Sequence, residues 1–83
     1  MDNIETTIQD LTLMLMYVSS WEEPPHGVRM AWKGFAYEAL DALLQAELIT
    51  SRKANKSVTL TKEGMEEARA LLKRHGFEVE ENA

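Results

Sequence analysis

Eighty-three residues, with nine basic and fourteen acidic side chains, a net charge of -5 and no cysteine, describe one small acidic domain. A chain this short hides only about 60–65% of the surface its unfolded form exposes, so its core is thin and self-association is a natural way to complete it. The missing cysteines exclude a disulfide framework and a thiolate zinc site, the 45% hydrophobic share excludes a disordered chain, and the net charge has the wrong sign for a protein that chiefly neutralises phosphates.

That charge is unevenly spread. Residues 1–49 carry two basic and eight acidic side chains, residues 50–75 seven basic and three acidic, and residues 76–83 three acidic ones. An anionic partner is therefore expected to meet the second half of the chain.

The stretch MDNIETTIQDLTLMLMYVSS predicts a first helix over 3–19, with Asp2 and Glu5 as a capping-box-like start. At about 100° per residue, Ile4, Ile8, Leu11, Leu15 and Val18 fall within about 40° of one line and are expected to form the core face. Leu13, Met14, Met16 and Tyr17 then project elsewhere, so the helix is apolar nearly all round. Such a helix is either central to its own fold or shared with a second chain. These four residues are the candidate dimer interface. The apolar run at 11–18 is too short to span a bilayer and lacks the basic flank of a secretory signal, which predicts a bacterial-type cytoplasmic protein with no membrane partner.

SSWEEPPHG at 19–27 reads as a loop because Pro24 and Pro25 remove two backbone donors. VRMAWKG at 28–34 predicts a short strand, with Trp32 as an apolar anchor in the core; no second aromatic stands at a sequence spacing that would make a base-stacking platform. FAYEALDALLQAELI at 35–49 predicts a helix with Tyr37, Leu40, Leu44 and Leu48 on its buried face, Leu43 at the edge, and an alanine-rich opposite surface.

ITSRKANKSVTLTKEG follows as two strands, 49–52 and 57–60, joined by a basic turn. Thr61 is placed to cap a last helix whose stripe is Met65, Ala68, Leu71 and Leu72, ending near His75 with Gly76 as a left-handed terminator. Phe77 closes the domain at residues 1–77, leaving 78–83 as an acidic tail expected to be disordered. The expected fold is thus α+β, mainly α, in the order helix, short strand, helix, β-hairpin wing, helix.

Residues 40–72 resemble the second half of winged-helix regulators of the MarR and PadR type: a helix ending in Leu48-Ile49, a hairpin wing, then Leu60-Thr61-Lys62-Glu63-Gly64 opening the next helix. AWKGF at 31–35, with LDALL, LI and KSVTLTKEG, is similar to a family of short bacterial proteins of unknown function spanning nearly this whole length. The resemblance implies a small winged-helix-like domain and brings no catalytic residue and no ligand. Both groups usually place Gly before the Leu-Ile pair, where this chain has Glu47.

A groove-reading function fits poorly. The helix in the recognition position presents Glu38, Asp41 and Glu47 with no lysine or arginine, only Gln45 could read a base edge, and the bracing helix upstream is missing. The residues placed for nucleic-acid contact are Arg52, Lys53 and Lys56 on the wing and Arg69, Lys73 and Arg74 on the last helix. His26 and His75 have no nucleophile or metal-ligand spacing, and there is no glycine-rich phosphate loop. The expectation is a non-catalytic module without cofactor, metal or small-molecule ligand, a homodimer through its first helix or the partner of another protein; the alternative is a regulator-like protein touching DNA through its wing.

Overall fold

The computed structural model describes residues 3–25, 27–52 and 54–79. Asn3 opens the first helix, α1 (Ile4–Val18), its side chain accepting the Glu5 N–H at 2.7 Å. Asp2, the cap expected from the sequence, lies outside the described residues. The chain then forms β1 (Trp21–Glu23), β2 (Val28–Trp32), α2 (Tyr37–Gln45), β3 (Ile49–Ser51), β4 (Ser57–Leu60) and α3 (Lys62–Arg74).

The four strands make one antiparallel sheet in the order β1-β2-β4-β3. β1 was not expected from the sequence. Its prolines sit beyond the strand, in the turn to β2, where a missing N–H leaves no ladder bond unmade. Ala31, Ile49, Val58 and Leu60 point from the sheet toward the helices and are buried, with Leu13, Met16, Leu43, Ala68, Leu71 and Leu72 completing the core. The other face of the sheet is open.

The burial of α1 is the reverse of the expectation. Leu13 and Met16 are 1% and 0% exposed and Met14 is buried with them, whereas Ile4, Ile8, Leu11, Leu15 and Val18 are 46–68% exposed. Both faces are apolar, so the periodic stripe alone does not select the inward one. Unbranched methionines fill an irregular gap better than β-branched isoleucines do. Thr12 also turns inward, satisfied by donating its hydroxyl to the Ile8 carbonyl at 2.7 Å.

Helix α2 is rotated from its expected setting as well. Ala39 and Leu43 are buried while Tyr37 is 79% exposed, because the small alanine side chains let α2 lie close against α1. The helix ends four residues before Ile49, in a Schellman motif: Leu48 N–H donates to the Leu43 carbonyl and Glu47 N–H to that of Leu44, both at 3.0 Å. Glu47 takes the left-handed position, with φ 63°, that glycine usually fills. α3 ends in the same motif with Gly76 there, Phe77 N–H donating to the Leu72 carbonyl.

Thr61 ties these pieces together. Its hydroxyl donates to the Glu47 carbonyl at 2.8 Å and accepts the Gly64 N–H at 2.9 Å, capping α3 against the end of α2. The start of α3 lies so close to the segment linking α2 to β3 that a Cβ on Gly64 would collide with the Leu48 carbonyl. The stripe of α3 is buried as expected, and Val79 packs against the core; residues 80–83 of the acidic tail lie outside the described residues.

Candidate interaction site

The seam left exposed on α1 has a spacing of its own. Ile4, Ile8, Leu11, Leu15 and Val18 are separated by steps of four, three, four and three, which is the a/d pattern of a coiled coil over two heptads. A helix facing its own globular core normally carries a wider stripe, and a strict a/d line is the narrower seam that fits a second helix. The line runs for about 21 Å at 1.5 Å per residue. Read backward it has nearly the same spacing, centred on Leu11, so it is complementary to itself in an antiparallel pair.

Leu13, Met14 and Met16, named in the candidate dimer interface, are inside the chain's own core and offer nothing to a second copy. Tyr17 is half-buried beside them. Its ring lies 5.7 Å from the Arg29 guanidinium and 6.0 Å from that of Arg69, within cation–π range. Arg29 is held in place by donating to the Ser20 hydroxyl at 2.7 Å and the Ser20 carbonyl at 2.9 Å. The strict a/d spacing of the exposed face marks it as a seam, but spacing alone does not say whether its partner is the chain's own core or a second helix.

The five of the six basic residues that are described do not gather into one patch. Arg69 turns to Tyr17, donating to its hydroxyl at 3.4 Å, near the Arg29–Leu60 end of the sheet. Arg52 and Lys56 are at the other end, where Lys33 joins them: its amine donates to the Arg52 carbonyl at 2.9 Å and its N–H to the Lys56 carbonyl at 3.1 Å. Lys73 and Arg74 are exposed on the last turn of α3. Lys53 lies outside the described residues, as does His26.

On α2, the side-chain amide of Gln45 donates to the Asp41 carboxylate at 3.0 Å, so the one group there suited to base reading is engaged within its own helix. His75 closes α3 through its backbone N–H, which donates to the Leu71 and Leu72 carbonyls. Among the described residues there is no group of three or more His, Cys, Asp or Glu side chains placed to hold a metal, and no helix is long and apolar enough to cross a membrane.

Trp32 stands apart from its expected role. It is 62% exposed and not in the core, and it has an aromatic neighbour that the sequence spacing hid. Trp21 pairs across the β1–β2 ladder with Met30, two residues from Trp32 on the same face, and the indoles meet at 4.8 Å with a 43° tilt.

Residues 4–78 match the family model described as a domain of unknown function, DUF6429. The chain belongs to this family. No curated protein and no solved structure matches it. The DUF6429 match takes in the whole seam of α1, the sheet and α3, so the elements described above make up one family unit.

Proposed function

We propose that this member of the DUF6429 family is a non-catalytic interaction module that self-associates through α1, two copies laying their exposed seams together antiparallel. The observation that carries this is the a/d line of five aliphatic residues, each about half or more exposed, on a helix whose other side is already core. Each such side chain gains about 1 kcal/mol on being covered. Five from each copy supply about 10 kcal/mol against an association cost of roughly 4–15 kcal/mol, which at the low end of that cost leaves about 6 kcal/mol and a weak dimer of tens of micromolar, not an obligate one.

The winged-helix reading agrees with the order β2-β4-β3, in which the strand before α2 lies beside the second strand of the hairpin. In that arrangement α2 holds the reading position, and its exposed Glu38 and Asp41, with Glu47 just past its end, repel a duplex. A winged-helix shell turned to protein contact is therefore the favoured form of the proposal.

Light scattering from about ten micromolar to the millimolar range tests it. The expected result is a rise from the 9.5 kDa chain mass toward about twice that value, as a two-copy equilibrium requires. Leu11→Glu, at an exposed position, is expected to hold the protein at the monomer mass with its circular dichroism unchanged. A wild-type chain that stays monomeric throughout, or a Leu11→Glu variant that still dimerises, overturns the reading.

A further inference from the structure

The open face of the sheet has relief. Its floor is the outward side of β4, Ser57 and Thr59, both small and hydroxylated. A shallow depression there is lined by Thr50, Arg52, Asn55, Ser57 and Thr59; Trp32 and Met30 do not line it but stand beside Ser57 and Thr59 across the β2–β4 ladder, the Thr59 hydroxyl donating to the Met30 sulfur at 3.2 Å. Two strand spacings, about 9–10 Å, separate Trp32 from the Thr50 and Arg52 side. Asn55 of the hairpin turn closes the depression at its basic end. Arg52 lines the depression and has no carboxylate partner among the described residues, and Lys56, which does not line it, is exposed in the hairpin turn just before Ser57, the cross-strand partner of Trp32. The indole N–H of Trp21 donates to Glu23 at 2.6 Å, and Glu23 pairs with Val28 at the far end. Charge along this face thus runs from acidic to basic, with the aromatic pair between.

We infer that this face binds single-stranded nucleic acid, a base stacking on the exposed side of Trp32 and the adjoining phosphates meeting Arg52 and Lys56. The three parts match one ligand class. A flat π-surface takes any base without regard to sequence, small hydroxyl and amide side chains suit sugar and base edges, and cations at one end suit phosphate. A duplex keeps its bases stacked on each other and cannot offer one to an indole without unpairing, so the single strand is preferred. The acidic end at Glu23 confines the contact to a short site of about four nucleotides, the low end of the range for sheet-based single-strand binders. This surface lies across the sheet from the helices, so it is independent of dimerisation through α1.

Both tryptophans of the chain are in this pair, so intrinsic fluorescence reports on the site directly. A short oligothymidylate titrated into the full chain at about 50 mM salt is expected to quench the emission, with a log–log salt slope of about -1.4 for two phosphate contacts. Trp32→Phe is expected to keep binding; Trp32→Ala is expected to weaken it about tenfold, read by the remaining tryptophan or by anisotropy of a labelled oligonucleotide. Arg52→Gln with Lys56→Gln is expected to flatten the salt slope without unfolding the protein, since both side chains are exposed. The Leu11→Glu monomer is expected to bind equally well. Emission unmoved by the oligonucleotide overturns the inference. So does equal binding of a duplex, or of heparin, since neither presents an unpaired base.

Discussion

Helices α1 and α3 lie side by side and contribute to one core, yet they specify their orientation in opposite ways. α3 has a single apolar stripe among charged residues, so only Met65, Ala68, Leu71 and Leu72 can face inward, and they do. α1 is apolar on both sides, and its inward face is chosen by fit: Leu13, Met14 and Met16 fill the space between α2, α3 and the sheet, while the regular seam stays outside. A clean stripe reports which side is buried; a doubled one reports that two things are packed, without saying which comes first.

The sharpest way to break this contrast is a pair of alanine variants on α1. Leu13→Ala, at a site 1% exposed, is expected to cost about 2–5 kcal/mol in denaturant unfolding, while Leu15→Ala on the seam is expected to cost the monomer less than about 0.5 kcal/mol. Equal losses would mean that both faces are buried in the monomer. Next in size is Gly64→Ala at the start of α3. The new methyl group meets the Leu48 backbone carbonyl, which cannot swing aside like a side chain, and a loss of about 3 kcal/mol is expected, at the upper end for overpacking. A near-neutral Gly64→Ala would show that α3 is positioned by its stripe alone.

The ends of the helices offer a smaller effect of the opposite sign. α3 finishes on Gly76 and α2 on Glu47, both left-handed, so Glu47→Gly is expected to stabilise by about 1 kcal/mol, raising the melting temperature by several degrees. Last, Arg69→Met removes one of the two guanidiniums on Tyr17, the polar link between α3 and the end of α1. An expected loss of about 0.5–1 kcal/mol, exceeded by Tyr17→Leu, which also removes the Arg29 contact, and not additive with it, would establish the pair as one coupled contact.

Legibility in the sequence followed the same line. The hairpin, the Thr61 cap and the buried stripe of α3 could be read because alternation, turn chemistry and capping agree at each position. The facing of α1 could not, because periodicity gives a direction on a helix but not the partner that direction meets. The setting of α2 is hidden for a related reason: Ala39 contributes little hydrophobic signal, yet it is buried because it is small enough to let α1 in. β1 was hidden by the prolines that follow it, and with β1 went the pairing that sets Trp21 against Trp32. As for the candidate surfaces, the residues of the exposed seam were visible, but assigned inward; the aromatic pair depends on cross-strand register, which no local pattern contains.

Both borders of the sheet, β1 and β3, are only three residues long. Outward-pointing backbone groups occur at every second residue of an antiparallel edge, so a visiting strand would find about one or two places to bond on either side. Backbone docking is thereby closed to foreign chains and to aggregating copies alike, and recognition by this protein is left to side chains, whose identity a sequence can change one at a time without disturbing the ladder beneath.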